Sequence, residues 1–173
     1  MAWHHGDRLL RCNSDEDGQF RLADPVGVNG LGISDRMGWR IVTGSHVGDW
    51  VAAQMDGSFC DKTSTSMGLE RNEKLVAGVV FENFNGASIT AHMAIKGLIN
   101  RSYLGAIFRY AYVFCGVHKV ILPVSSLNDK STNFVSRLGF TEEGRISGAA
   151  PGGDIILYTL KKADCRYLGD KYG

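Results

Sequence analysis

The sequence predicts an α/β (α+β) domain, with a mixed, mostly antiparallel central sheet, one parallel pair of strands and flanking helices. Two observations predict this class. Three short alternating or apolar segments, separated by Asn- and Gly-containing turns, are typical of an antiparallel meander. The pattern then changes to helix, strand, helix and a final pair of strands, and a strand, helix, strand order places two strands in parallel.

The size and charge of the chain limit its organisation. Its 173 residues suffice for one domain with a substantial core. We expect a loosely structured N-terminal extension, residues 1–38, followed by a single domain, residues 39–173. The formal net charge of +1 gives no overall attraction to nucleic acid or an anionic membrane. Since no apolar run is long enough to cross a membrane and the N-terminus lacks signal-peptide features, a cytoplasmic protein without membrane contact is expected.

The cysteines do not indicate a metal centre. Cys12, Cys60, Cys115 and Cys165 are scattered and show none of the close spacings of zinc ligands. We therefore expect reduced thiols and no metal.

The first half of the domain predicts a strand, a helix and the meander. Trp39–Thr43 alternates like a strand, and Ser45 is then expected to cap a helix. The apolar residues of that helix recur at helical spacing and are Val47, Trp50, Val51 and Met55. The meander strands are expected at residues 64–70, 75–81 and 87–95, with tight turns at 71–74 and 82–86.

The second half predicts two helices and three strands. Asn100 is expected to cap a helix whose buried stripe consists of Leu104, Ile107, Phe108, Ala111 and Cys115. Residues 119–124 form a continuous apolar run of the kind that is buried in a parallel pair. The final strands are expected at residues 140–146 and 155–161.

Residues 128–140 carry the clearest local signals. Asn128 is a strong N-cap, and Gly139 is the expected left-handed residue that ends the helix. The buried stripe between them consists of Ser131, Phe134, Val135 and Leu138.

A set of residues in this half also carries a family resemblance. In order they are Gly116, His118, Lys119, Val120, Asn128, Ser131, Leu138, Gly139, Phe140, Glu143 and Gly144. Together with the order of elements, they resemble the GCN5-related N-acetyltransferase (GNAT) family, and especially its ribosomal-protein and small-substrate branch. The resemblance covers roughly residues 39–161.

The resemblance implies that acetyl-CoA is the co-substrate. It would lie in a notch where the strands at 87–95 and 119–124 splay apart, with its pyrophosphate at the N-terminus of the first crossover helix. Free amide hydrogens and the helix dipole make such a terminus an anion site. The residues implied to bind the cofactor are Met93, Ala94, Ile95, Lys96, Gly97, Asn100, Arg101, Ser102, Asn128 and Ser131.

The chain departs from the family pattern at the phosphate loop. Family members usually have a Gln/Arg-x-x-Gly-x-Gly/Ala loop, whereas Gly97 is the single glycine in residues 95–102. Lys96 or Arg101 would then have to supply charge to the phosphates. The alternative is that both are simply the solvated start of a helix.

The catalytic candidates are Ser131 and His92. The tyrosine that many family members use as an acid is replaced by Val135, so Ser131 is the candidate that protonates the leaving thiol. The alternative for Ser131 is a hydroxyl bonded to the carbonyl four residues earlier. His92 is the candidate base, although a strand histidine is often only a hydrogen-bonded structural residue; Glu82 and Glu70 are alternatives. A backbone amide in residues 93–95 would be the oxyanion donor.

The resulting hypothesis is an acetyl-CoA-dependent N-acetyltransferase. The acetyl group would pass to a primary amine of a small molecule, peptide or protein by direct attack on the thioester, and a homodimer is a further expectation. One alternative is a non-catalytic GNAT-fold binding module. Another is an enzyme that modifies nucleic acid, against which the near-neutral charge argues.

Overall fold

The computed structural model describes residues 38–55, 59–169 and 172. The predicted extension, residues 1–38, lies outside this range except for Gly38, so the proposed division of the chain stays a prediction. The strands are β1 Trp39–Thr43, β2 Thr65–Arg71, β3 Lys74–Glu82, β4 Ser88–Ile95, β5 Lys119–Ser125, β6 Thr141–Ala150 and β7 Gly153–Lys161. The α-helices are α1 Ser45–Ala53, α2 Arg101–Arg109 and α3 Asp129–Leu138.

The strands form one seven-stranded sheet in the order β1-β2-β3-β4-β5-β7-β6. Neighbouring strands are antiparallel except β4 and β5, which are parallel. The helices α2 and α3 contribute to the larger apolar core on one face, and α1 packs with β3 and β4 in a smaller core on the other. The predicted fold class is therefore confirmed.

The meander follows from local turn chemistry. Asn72 and Glu73 both have positive φ, 51° and 64°, which suits the tight turn between β2 and β3. In the next loop the Asn85 side chain accepts hydrogen bonds from the amides of Ala87 and Ser88, at 3.0 and 2.8 Å. Both predicted turns are confirmed, and the ends of the three strands differ from the expected ranges by at most one residue.

Helix α1 differs from its prediction at both ends. Ser45 is the first helical residue rather than the cap, because Gly44 occupies the N-cap position and no side chain bonds to the free amides. The helix ends at Ala53, so Met55 lies beyond it and is exposed. The predicted burial of Val47 and Val51 is confirmed, since both pack against the sheet.

Helix α2 buries more aromatic surface than its predicted stripe. Ile107, Phe108 and Ala111 are buried as expected, whereas Leu104 and Cys115 are only partly buried. Tyr103 and Tyr112, which the stripe omitted, are fully buried, and burial raises the pKa of each hydroxyl. The Tyr103 hydroxyl donates to the Met67 carbonyl at 2.8 Å, and that of Tyr112 to Leu160 at 2.7 Å.

The end of this helix is a π-turn. Residues Tyr110–Phe114 continue α2 with wider hydrogen bonds, and the Cys115 amide donates to the Tyr110 carbonyl at 2.9 Å. A π-turn contains one residue more than an α-turn. The sequence pattern did not predict it, because the predicted stripe assumes α-helical spacing throughout.

The segment after β7 ties α2 to α3. The Tyr167 ring stacks on Phe108 of α2, with centroids 4.9 Å apart. Arg166 donates to the Arg137 carbonyl near the end of α3 at 2.6 Å. Tyr172 packs so closely on Gly105 that a β-carbon there would collide with the Tyr172 carbonyl. The relative positions of the two helices are thus held from outside the sheet.

We predict that Tyr103→Phe lowers the free energy of unfolding by about 1 to 2 kcal/mol, because the Met67 carbonyl loses a buried donor. Urea denaturation measures the change. Tyr158→Phe is the matched control, since that buried tyrosine has no hydroxyl hydrogen bond to another described residue. Equal effects of the two substitutions would show that the Tyr103 hydrogen bond is not stabilising.

Candidate functional site

The site begins where β4 and β5 separate. The two strands pair at only three positions, Ser88 with Lys119, Ile89 with Val120, and Thr90 with Ile121. Beyond them, β4 continues beside β3 and β5 continues beside β7. The facing edges of residues 91–95 and 122–125 are therefore not paired with each other, and the splayed pair implied by the resemblance is confirmed.

The unpaired edge of β4 exposes backbone donors and acceptors to this notch. The Lys96 amide donates to the Val76 carbonyl at 2.8 Å, which fixes the phase of the ladder between β3 and β4. Since backbone groups alternate in direction along a strand, those of Met93 and Ile95 point to the β5 side. An extended ligand with amide groups could pair there.

Two helix N-termini lie at the same edge of the sheet. Helix α2 follows β4 and α3 follows β5, so each starts near the end of a parallel strand. The Asn100 side chain accepts from the Tyr103 amide at 2.8 Å, and Asn128 accepts from Ser131 at 3.0 Å. Both predicted caps are confirmed. The first amide hydrogens of each helix have no intrahelical partner and are suited to anions.

The loop before α2 is attached to β3. The amides of Lys96 and Gly97 both donate to the Val76 carbonyl, at 2.8 and 3.1 Å. A β-carbon on Gly97 would lie 3.1 Å from the β-carbon of Val76. Gly97 therefore allows the loop to approach β3, and its amide is engaged there. This geometry therefore does not support the predicted binding of phosphate by the Gly97 amide.

Unpaired cations surround the same edge. Lys96, Arg101 and Lys130 are exposed, and none forms an ion pair with any residue in the described part of the chain. Each precedes or begins α2 or α3. This arrangement could bind phosphate groups without a glycine-rich loop.

Two exposed leucines flank the notch. Leu98 lies in the loop before α2 and is 72% exposed, and Leu127 lies before α3 and is 65% exposed. They offer apolar surface beside the cations. The edge can therefore accept a ligand with both anionic and apolar parts.

His92 lies on the sheet face that α1 covers. Its register partner Val80 packs with α1, and paired residues share a face. His92 Nε2 lies 2.8 Å from Glu82 Oε1, and both side chains are partly exposed. If Nε2 carries the hydrogen, Nδ1 can accept a proton. The other alternative base, Glu70, forms an ion pair with Arg40 at 2.6 Å.

Ser131 lies on the opposite face of the sheet from His92. It is half-buried on the inner side of α3, whose Val135 and Leu138 belong to the larger core. Its hydroxyl has no hydrogen bond to another described residue, so the alternative of bonding to a helix carbonyl is not observed. A bond of this type, from a serine hydroxyl to the carbonyl four residues earlier, is formed in α3 by Ser136, which donates to the Thr132 carbonyl at 2.8 Å. The structure does not join Ser131 and His92 by any contact.

Two features of the site were missed from the sequence. The direct pairing of His92 with Glu82 is a contact between neighbouring strands, and only the register of β3 and β4 reveals it. The Thr132 hydroxyl is buried and has no hydrogen-bond partner among the described residues. The only available signal for Thr132 was its position four residues after Asn128.

A separate cavity of about 380 Å³ lies at the other end of β5. It is lined by Lys119, Glu143, Thr159 and Asp164, among others. Lys119 and Thr159 both donate to Glu143, and Lys119 is the main cause of its lowered pKa. This carboxylate is already satisfied, and the cavity is remote from the notch.

The described residues form neither a metal-binding cluster nor a membrane-spanning helix. No group of three or more His, Cys, Asp or Glu side chains there is placed to hold a metal ion. Within the same part of the chain, no helix has the length and apolar character needed to cross a membrane.

A meander, a splayed parallel pair and a helix after each parallel strand define the GNAT fold, and the chain has that fold. The solved structures it resembles include spermidine N-acetyltransferases SpeG from Vibrio cholerae. One variant has a TM-score of 0.61 at 16% identity and covers 78% of this chain and 98% of its own. The complex with CoA and spermine has a TM-score of 0.53 at 19% identity, with 63% of this chain and 70% of that chain covered.

A further structure, described as dodecameric, has a TM-score of 0.59 at 13% identity and covers 73% of this chain and 95% of that chain. Another of these structures was obtained with manganese ions. No protein-family model and no curated protein matches the sequence. Identities this low establish the shared fold alone.

We predict that Asn128→Ala lowers the free energy of unfolding by about 1 kcal/mol, because the Ser131 amide loses its cap. Asn128→Asp is the control, since its carboxylate keeps the accepting oxygen and favours the helix N-terminus. Thermal denaturation of both variants measures the difference. A stability loss in Asn128→Asp as large as in Asn128→Ala would contradict the capping role.

Proposed function

We propose that the protein is an acetyl-CoA-dependent N-acetyltransferase that acts on a primary amine. The observation that carries this proposal is the notch between β4 and β5, where unpaired backbone lies beside two helix N-termini and three cations that form no ion pair with a described residue. These features match the parts of acetyl-CoA, which has an amide-containing arm and charged phosphates. Backbone groups on an unpaired strand edge can form hydrogen bonds with an extended ligand that carries amides.

The residues for holding the cofactor fall into two groups. The carbonyls of Met93 and Ile95 would accept hydrogen bonds from the amides of the pantetheine arm, and Ala94 lies between them on the strand. The phosphates would be held by the first amides of α2, at Arg101 and Ser102, with the side chains of Lys96, Arg101 and Lys130 supplying charge. The donor set fits the cofactor.

Asn128 can serve in two ways. Its Oδ1 atom caps α3, while its Nδ2 atom makes no hydrogen bond to a described residue. The amide nitrogen is therefore available to donate to the cofactor. Asn100 caps α2 in the same way and holds its N-terminus toward the notch.

The chemistry requires a base, an oxyanion donor and an acid. Acetyl-CoA supplies an acetyl group activated as a thioester. His92 would accept the proton of the incoming ammonium group, and Glu82 would stabilise the charged imidazole. The Met93 and Ile95 amides would donate to developing negative charge. The CoA sulfur would leave as a thiolate, which is a good leaving group without strong assistance, and would take a proton from the Ser131 hydroxyl, which regains one from solvent.

The acceptor class is set by the need for an amine. The structural neighbours are spermidine acetyltransferases, and one was solved with spermine, so polyamines belong in the first panel. Small monoamines and peptides belong there too. The expected homodimer and cytoplasmic location stay predictions.

We expect the double variant Lys96→Ala/Arg101→Ala to bind acetyl-CoA roughly ten times more weakly, since two charge-assisted phosphate contacts are lost. Isothermal titration measures the affinity at low and moderate salt. Lys74→Ala/Lys162→Ala removes two exposed cations elsewhere and is the matched control. Equal affinity of all three proteins would mean that Lys96 and Arg101 do not bind the phosphates.

The catalytic proposal is tested by thiol release from acetyl-CoA in the presence of the amine panel. We expect turnover with at least one amine, and His92→Gln should lower kcat by roughly 100-fold, as loss of a general base does. Glu82→Gln should lower it less, because it acts through His92. The affinity for acetyl-CoA, measured by titration, should stay close to the wild-type value.

The outcomes separate the alternatives. No acetyl-CoA binding at high micromolar concentration would refute the proposal as a whole. Binding without thiol release for any amine would instead favour a non-catalytic module of this fold. Turnover that His92→Gln leaves unchanged would refute the role of His92 alone.

A further inference from the structure

Among the residues that the structure describes, no helix covers one half of the sheet face that carries His92. Helix α1 packs on this face against β1 to β4, and no described helix covers β5, β7 and β6 there. The residues on the uncovered half follow from the strand registers, because paired residues share a face. Ile121 is paired with Thr90, Pro123 with Leu157, and Ile146 with Ile155.

These side chains form an apolar patch, defined as Ile121, Pro123, Ile146, Ile155 and Leu157. Ile146 is 51% exposed, and the others are half-buried. None of them belongs to either apolar core of the described structure. They therefore present apolar surface that neither core of the described structure uses.

The patch is continuous with the proposed site of reaction. Thr90 is the register partner of Ile121, and His92 follows it by two residues on the same face of β4. An acceptor whose amine reaches His92 would therefore have its remaining atoms beside Ile121 and Pro123. The cofactor's phosphates are proposed to bind at the N-termini of α2 and α3. The patch lies on the opposite side of the sheet from these helices.

The charges around the patch exclude one kind of acceptor and favour another. Glu82, which is bonded to His92, lies at the near end. At the far end Glu143 is engaged by Lys119 and Thr159. Between them, no carboxylate of a described residue lies in the patch to pair with additional ammonium groups. A chain with several positive charges would lose hydration there without a partner.

We propose that this patch binds the apolar body of the acceptor, so that the substrate is a primary amine carried on an aliphatic or aromatic group rather than a polyamine. The inference rests on the proposed function and names the substrate class of the same site. The single positive charge of such a molecule is placed at His92 and Glu82, and its hydrocarbon part is removed from water by the patch.

A series of linear alkylamines from ethylamine to hexylamine tests this. With the wild-type protein and saturating acetyl-CoA, we expect kcat/KM to rise by up to about fourfold for each methylene group that the patch buries. Diaminohexane, which carries a second charge at the far end, should be a much poorer substrate than hexylamine. Thiol release measures all the rates.

The variant Ile121→Thr/Leu157→Thr makes the patch more polar and places at both positions a β-branched side chain, which strands favour. We expect the ratio of kcat/KM for hexylamine to that for ethylamine to fall by roughly tenfold. Val113→Thr, which changes an exposed apolar residue at the end of α2, is the matched control and should keep the wild-type ratio.

The results distinguish the two proposals. Activity that does not depend on chain length, or a preference for diamines or spermidine, overturns the assignment of the patch and leaves the proposed function intact. Failure of every amine together with failure to bind acetyl-CoA refutes both. If the patch variant changes only the oligomeric state measured by sedimentation, the patch is a contact between copies of the chain and the inference is wrong.

Discussion

The rest of the structure depends on the separation of β4 and β5, which form no hydrogen-bonded pairs with each other beyond three positions. Both strands leave their three paired positions with a committed partner on the other side, β3 for β4 and β7 for β5. Because each remains fixed by that partner, the gap cannot close by a small shift of either strand. The helices that follow the strands then begin on the same edge, and the notch, the caps and the unpaired cations come together there.

The elements of the second half could be predicted from sequence because their signals are local. Asn128 caps its own helix, Gly139 ends it with a φ of 100°, and the pattern between them fixes the buried face. Asn100 acts in the same way for α2. Ser45 misled the prediction because Gly44 takes the cap position, and the contact that holds this corner comes from Ser66, whose hydroxyl bonds to the Gly44 carbonyl. A contact over 22 residues leaves no local pattern.

The site was predictable in its location and not in its contacts. The resemblance placed the cofactor residues on two helix starts and one strand, and the structure brings those elements to one edge. The role of Gly97 depends on its approach to Val76 in a neighbouring strand, and the partner of His92 depends on register. The uncovered half of the sheet likewise follows from where α1 packs. Such features arise from tertiary structure, and one sequence without relatives cannot reveal them.

The π-turn at Tyr110–Phe114 makes the length of the connection between α2 and β5 significant. An α-helix advances by about 100° per residue, so deletion of one residue here would rotate everything between Cys115 and the start of β5. Val117, which is fully buried, would leave its place in the core, and Lys119 would lose its register with Ser88. During evolution, this segment can therefore exchange side chains more readily than it can change length.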